Sequence, residues 1–219
     1  MKKTRFLLPV LLLFLFGFGA TAQMATKGIK GGVNASNLGV DGLATYEFYP
    51  SFHAGLFFRT APIERISLQL EILYSAQGAE LNDGETAQLF STYSGGTVRL
   101  NYLSLPVMAR INFLDNRLGV LVGPGLNYLL NAGDDGDLDG SGEELRALYN
   151  DFDFTVQFGL EYDITSGLLI GTRTSISLGN IMSGDNAVVD GPLGLPITYP
   201  TVNGDVTNFV AQGYIGLIF

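Results

Sequence analysis

His53 is the only histidine of the 219-residue chain, and histidine is the usual general base near neutral pH. A hydrolase would need it beside a nucleophile and an orienting group. His53 lies in a segment of alternating side chains, and counting across the adjacent predicted hairpin places it near Glu71. The pattern reveals no nucleophile–base geometry, so a hydrogen bond or an ion pair is the simpler interpretation. We therefore predict no catalytic residues and no enzymatic activity.

Three arginines and three acids share the polar faces of alternating segments. They are Arg59, Arg110, Arg173, Glu71, Asp153 and Glu161. If these polar faces line the inside of a small barrel, their charges must pair, because an unpaired buried charge is costly. The alternatives are an ion path and an electrostatic plug, in which Arg110 would face Glu161 across Gly119 and Gly123. The plug is favoured, because a small barrel has room for little beyond its side chains.

The segment DGDLDG, residues 135–140, matches positions 1, 3, 5 and 6 of a calcium-binding loop. The matching residues are Asp135, Asp137, Asp139 and Gly140. Position 12 should supply a bidentate carboxylate but is Arg146, although Glu143 and Glu144 lie nearby. A weak calcium site and a solvated acidic loop are the alternatives. The incomplete match favours the loop, so we assign no metal ligand, and no cofactor motif is visible.

Segments in which apolar and polar side chains alternate must position these residues. In FDFTVQFGLEYD, residues 152–163, the aromatic and aliphatic side chains occupy one parity, and Asp153, Gln157 and Glu161 the other. Strict alternation predicts a strand with two unlike faces. The eight predicted strands are residues 27–36, 51–60, 65–76, 98–113, 118–128, 152–163, 168–178 and 208–219. In 98–113 the apolar parity changes after Tyr102, which predicts a β-bulge there.

The connections between these strands alternate in length. The short ones are residues 61–64, 114–117 and 164–167, and the long ones are 37–50, 77–97, 129–150 and 179–207. Short turns at one end and long loops at the other are typical of bacterial transmembrane barrels. We therefore predict an all-β fold, an eight-stranded antiparallel up-and-down transmembrane β-barrel, with both termini at the short-turn, periplasmic end.

Three features favour lipid around the apolar faces. The polar faces are rich in glycine, which suits a narrow lumen. Aromatic residues gather near strand ends, as in interfacial girdles. The last strand ends on Phe219, which resembles the assembly signal of outer-membrane barrels. The alternative is a secreted soluble β-sandwich or a lipocalin-like binding protein, because alternation alone does not decide which face is inside.

The predicted lumen holds polar, charged and a few bulky apolar side chains. They are His53, Phe57, Arg59, Glu71, Met108, Arg110, Leu121, Gln157, Glu161, Arg173 and Tyr214. Because these would fill eight strands, we expect no continuous water channel.

Residues 1–22 have the pattern of a secretory signal peptide. Basic residues at 2, 3 and 5 precede an apolar run over residues 6–18 and the small-residue site Ala20-Thr21-Ala22. We expect cleavage that leaves residues 23–219 as the barrel domain. The net charge of −9 disfavours nucleic acid as a partner. The absence of cysteine excludes thiol catalysis, cysteine metal sites and lipoprotein attachment.

Residues 52–81, which include FHAGLFF and ISLQLEILYSAQGAEL, resemble the PorT-type outer-membrane β-barrel family of Bacteroidota-like bacteria. The likeness continues through residues 100–113, 118–130, 152–181 and the terminal strand, and GIKGGVNASNL, residues 28–38, matches the usual first strand. The resemblance implies an eight-stranded outer-membrane barrel but no single activity. Its name-giving member serves a secretion machine, and transfer of that role is fold-level analogy.

We therefore expect an integral protein of the cell outer membrane with a structural or interaction role at the cell surface, for example as an accessory of a secretion or surface-assembly machine. A small ligand- or ion-handling barrel is the alternative. The expected partners are outer-membrane lipid and proteins that contact the loops or the periplasmic turns. We expect a monomer that uses no cofactor.

Overall fold

The computed structural model describes residues 25–40, 43–44, 47–81, 96–134, 146, 148–183, 188–190, 196–198 and 205–219. Eight long strands dominate it: β1 (Thr26–Val40), β2 (Glu47–Arg59), β3 (Ile66–Leu81), β4 (Gly96–Phe113), β5 (Leu118–Asp134), β6 (Phe152–Thr165), β7 (Leu168–Ser177) and β8 (Val206–Ile218). The segment Leu43–Ala44 pairs with the end of β1, and Val188–Asp190 forms a small hairpin with Pro196–Thr198. Within these ranges no helix is long and apolar enough to cross a membrane.

Each strand pairs antiparallel with its chain neighbours, and β8 returns to pair with β1. That last pairing runs without interruption from Gly28 opposite Ile218 to Val40 opposite Val206. Closure therefore gives all eight strands two hydrogen-bonded neighbours, which removes the exposed edges of an open sheet. The predicted eight-stranded antiparallel barrel is confirmed, and β3 and β5 extend further towards the long loops than predicted.

The two parities of each strand face opposite environments, as β6 shows. Phe154 and Phe158 are exposed on the outside, whereas Gln157 and Glu161 are buried in the lumen. The outside of the barrel is therefore apolar and its inside polar. A soluble sandwich or a lipocalin-like barrel would have the reverse arrangement, since its apolar side chains must leave water.

The change of apolar parity in β4 has a different cause from the predicted bulge. Val98, Leu100 and Tyr102 are buried inside the barrel, on the same parity as Met108 and Arg110. The facing of β4 therefore alternates without a break. Apolar residues appear on the inward parity because this end of the lumen is itself apolar, so the prediction that these residues break phase was wrong.

A bulge does lie opposite Tyr102, on the neighbouring strand. Asn101 pairs with Asn131, but Tyr102 pairs with Leu129, so Leu130 is an extra residue of β5. One inserted residue shifts all later side chains of a strand to the other face. Buried Leu129 is accordingly followed by Ala132, three residues on, as the next buried side chain.

The short connections and both ends of the barrel lie together. The backbone N–H of Phe219 donates to the carbonyl of Lys27 at 2.9 Å, and Thr26 pairs with Arg59 beside the first short turn. The second short turn, residues 114–117, is closed by a hydrogen bond of 3.1 Å from the N–H of Arg117 to the carbonyl of Leu114. The termini of the barrel therefore lie at the short-turn end, as predicted.

Candidate functional site

The half of the lumen nearest the short turns contains a network of ion pairs that we call the charged layer. Its charged members are Lys30, Arg59, Glu71, Arg110, Glu161, Asp163 and Arg173, and Gln69 and Tyr214 bond to them. The strands bring these side chains together because all of them lie on the inward parity. The predicted lumen placement of the arginines, Glu71 and Glu161 is thus confirmed.

Glu161 is the centre of the charged layer. Its carboxylate accepts hydrogen bonds of 2.9 Å each from Arg59 Nη2, Gln69 Nε2 and the Tyr214 hydroxyl. Lys30 Nζ lies 3.5 Å and Arg110 Nε 3.7 Å from the same carboxylate. The predicted contact with Arg110 exists, but Arg59 is the closer partner. Charge-assisted hydrogen bonds of this kind are stronger than neutral ones.

Glu71 forms the second centre, with a cation that the sequence analysis did not place in the lumen. Lys30 Nζ lies 2.5 Å from Glu71 Oε1, and Arg173 Nη1 donates to Oε2 at 2.7 Å. Lys30 is fully inside, with its ammonium 4.3 Å from the centre of the Tyr214 ring. The sequence did contain a signal for this placement, because Lys30 has the same strand parity as Gly28 and Gly32, which belong to the polar face.

His53 makes a lumen hydrogen bond, as predicted, but with Asn34, and it does not pair across the strands with Glu71. Its Nδ1 lies 2.6 Å from Asn34 Oδ1, so Nδ1 carries the proton and donates. His53 pairs with Ser75, whereas Glu71 pairs with Phe57. The register expected from the sequence was wrong because the first short turn is longer than a simple hairpin. Arg59 pairs with Gln69, and Ile63 and Ile66 form a separate β-bridge within the turn.

Above the charged layer lies what we call the polar layer, made of uncharged polar side chains and Asp153. On the wall formed by β1, β2, β3 and β8 its members are Asn34, His53, Ser75, Gln77, Asn208 and Gln212, and on the wall formed by β4 to β7 they are Ser104, Asn127, Asp153, Thr155, Gln157 and Ser177. Asn208 Nδ2 donates to Gln77 Oε1 at 2.5 Å on the first wall, and Asn127 Nδ2 donates to Asp153 Oδ2 at 3.0 Å on the second.

The long-loop end of the lumen is closed by a buried apolar cluster, here called the apolar cap. It contains Leu38, Ala79, Val98, Leu100, Tyr102, Leu129, Ala132, Leu148, Tyr149, Ile181 and Val206. The segments at residues 148–150 and 181–183, outside the eight strands, bond to each other, for example from Asn150 N–H to the carbonyl of Ile181 at 2.8 Å. Parts of the third and fourth long loops therefore fold over the barrel mouth, which the sequence analysis missed.

Two inward glycines make room for large side chains of the charged layer. A Cβ on Gly119 would lie 2.1 Å from Arg110 Nε, and one on Gly171 would lie 2.5 Å from Tyr214 Cε2. Both separations are far below van der Waals contact. The predicted space at Gly119 is confirmed, and it is filled by the arginine.

The segment with the partial calcium motif lies mostly outside the residues that the structure describes. Asp135, Asp137 and Asp139 lie outside the described residues. Arg146, at position 12 of the motif, donates to the Leu129 carbonyl at 3.0 Å and to Asp151 at 2.8 Å. Among the residues that the structure describes, no group of three or more His, Cys, Asp or Glu side chains could hold a metal ion.

A family model described as outer membrane protein beta-barrel domain matches residues 21–183. The chain belongs to this family. The protein is thus integral to the outer membrane, and the exposed apolar side chains on the outside of its strands face lipid. The alternative of a secreted soluble protein was wrong. The finer PorT-type assignment goes beyond this match.

Several solved outer-membrane proteins resemble the barrel in fold. Ail, the attachment invasion locus protein of Yersinia pestis, is 14% identical over 90% of this chain and 100% of that chain, with a TM-score of 0.47. OprG from Pseudomonas aeruginosa is 14% identical over 90% and 96%, with a TM-score of 0.44. Neisserial surface protein A is 10% identical over 88% and 97%, with a TM-score of 0.43. No curated protein matches the sequence.

Proposed function

We propose that this outer-membrane barrel is a non-enzymatic protein that acts through its surfaces rather than through its lumen. Its role is structural or interactive at the cell surface, and the PorT-type resemblance makes an accessory of a secretion or surface-assembly machine the specific form to test. The observation that carries the proposal is the filled lumen, from the charged layer to the apolar cap.

The charged layer supports this proposal because it ties distant strands together. Arg59 on β2 bonds to Glu161 on β6, and Glu71 on β3 bonds to Arg173 on β7. Water or solute crossing this level would have to separate buried ion pairs, and breaking such a pair is strongly unfavourable. The apolar cap is a second barrier, because it buries large side chains such as Leu100 and Leu129.

Conductance tests the lumen part of the proposal. We expect no stable conductance from the purified protein in planar bilayers, and no faster entry of small sugars into vesicles than without protein. Glu161→Ala should destabilise the barrel without creating a transport defect. Reproducible single-channel steps from the unmodified protein, with an ion preference altered by Glu161→Ala, would instead favour the ligand- or ion-handling alternative.

Crosslinking in cells tests the partner part. A photoreactive residue is introduced separately at three positions. They are Asp115 in a periplasmic turn, Asp139 in the third loop and, as a control, lipid-facing Phe154. Protein partners captured at Asp115 would support a machine accessory, whereas capture only at Asp139 would support adhesion or surface binding. Protein capture at neither site would contradict an interaction role.

Export is part of the same proposal. We propose that residues 1–22 act as a signal peptide, so that the exported protein begins at Gln23. Amino-terminal sequencing of protein from the outer-membrane fraction should identify Gln23 as the first residue. An intact Met1 in that fraction would contradict cleavage.

A further inference from the structure

One wall of the polar layer contains buried side-chain oxygens that lack ordinary hydrogen-bond partners. Asp153 Oδ1, Gln157 Oε1 and Ser177 Oγ are buried without a hydrogen bond of ordinary distance and angle, although the Ser177 hydroxyl lies close enough to interact with the Asp153 carboxylate. The three residues are 4%, 3% and 5% exposed, so bulk solvent does not satisfy these oxygens. Buried polar atoms normally have hydrogen-bond partners, so these three oxygens on one wall need an explanation, and a bound water molecule or ion is one.

The three residues lie at, or two positions from, one strand pair, Thr155 opposite Ser177. Asp153, Thr155 and Gln157 share the inward parity of β6, on either side of that pair. Gln157 Nε2 donates to Thr155 Oγ1 at 3.2 Å, which holds the Gln157 amide beside the pair. Asn127 holds Asp153 Oδ2 at 3.0 Å, which leaves Oδ1 free of that bond. A carboxylate, an amide carbonyl and two hydroxyls therefore share one part of the wall.

The charge of Asp153 distinguishes it from the other lumen carboxylates. Glu71, Glu161 and Asp163 each lie within 4.0 Å of at least two basic side chains. Among the described residues, Asp153 has no basic side chain within that distance, and the side chains that it contacts through hydrogen bonding, Asn127 and Ser177, are both neutral. An isolated buried carboxylate is unfavourable unless a positive charge is supplied.

We propose that Asp153, Gln157 and Ser177 bind one monovalent cation, Na⁺ or K⁺. Carboxylate, carbonyl and hydroxyl oxygens are the ligands that hard cations prefer. One carboxylate supplies a single negative charge, which a monovalent ion balances. The charged layer lies below this site and the apolar cap above it, so the ion is a structural component of the barrel and not a solute in transit.

The test is unfolding in urea after refolding into phosphatidylcholine vesicles, in NaCl, KCl or choline chloride at equal ionic strength. The unfolding midpoint should be higher in NaCl or KCl than in choline chloride. When the cation concentration exceeds the dissociation constant, each tenfold increase in the concentration of the free cation should raise the folded-to-unfolded ratio tenfold. Asp153→Asn keeps the side-chain size, removes the charge and should abolish the difference. Asp115→Asn, an exposed carboxylate in a short turn, should retain it.

Ser177→Ala is the second variant, since it removes one ligand oxygen and leaves the carboxylate in place. It should move the cation dependence to higher concentration. Equal midpoints for the unmodified protein in all three salts would overturn the proposal, because water or a proton would then satisfy Asp153. A cation effect unchanged in Asp153→Asn and Ser177→Ala would overturn it too, because the ions would then act elsewhere.

Discussion

Glu161→Ala is the most direct test of the charged layer. The change deletes the acceptor of three hydrogen bonds of 2.9 Å. It leaves four basic side chains, Lys30, Arg59, Arg110 and Arg173, with two carboxylates, Glu71 and Asp163. Breaking a buried ion pair costs about 3–5 kcal/mol, because the remaining charge stays buried without its partner. We expect a loss of that size in the free energy of unfolding.

Urea unfolding in lipid vesicles measures this loss. At a slope of about 2 kcal/mol per molar urea, the midpoint should fall by about 2 M. The chain has no tryptophan, so far-ultraviolet circular dichroism and gel mobility with and without boiling are suitable signals. Glu80→Ala is the matched control, because Glu80 is an exposed strand carboxylate. Its effect should stay within about 0.5 kcal/mol.

A double variant identifies the source of the loss. If Arg59 is stranded by Glu161→Ala, then removing both side chains should cost less than the sum of the single changes, with a coupling of about 0.5–3 kcal/mol. Unchanged stability of Glu161→Ala would refute the reasoning. It would mean that water solvates the charged layer and that the lumen is not a plug.

Three further predictions concern packing, assembly and the acidic loop. Gly119→Ala should lower the urea midpoint, because its methyl group would displace the Arg110 side chain, whereas Gly31→Ala, whose nearest atom would lie at 3.5 Å, should be tolerated. Deletion of Phe219 should reduce the heat-modifiable, membrane-inserted fraction, and normal insertion would argue against the terminal signal. Proteolysis of the third loop should be identical with millimolar calcium and with chelator, because Arg146 is engaged by Leu129 and Asp151; protection by calcium that is lost in Asp137→Asn would reveal a site.

The sequence was sufficient to predict the barrel and the facing of most strands. Alternation of period two is set locally by the pleat, so β6 could be assigned without any knowledge of its neighbours. Loop lengths then predicted the up-and-down connections. The same parity placed His53, Gln157 and Arg173 in the lumen, where the structure also has them.

Cross-strand partners were beyond this local reasoning. Which residues meet depends on register, and register depends on turns and bulges that the sequence does not display. A turn longer than a simple hairpin placed His53 opposite Ser75 rather than beside Glu71 in the register, and an extra residue at Leu130 reset the facing of β5. Such shifts change every contact along a strand.

The sequence by itself determined the two unlike faces of most strands, because the period of a strand is a property of one chain segment. Only the tertiary structure decided which of the lumen side chains bond, that Lys30 is among them, and that Leu148 and Ile181 close the mouth. The physical reason is that ion pairs and caps form between segments far apart in the chain. Their distances are set by the register of eight strands together.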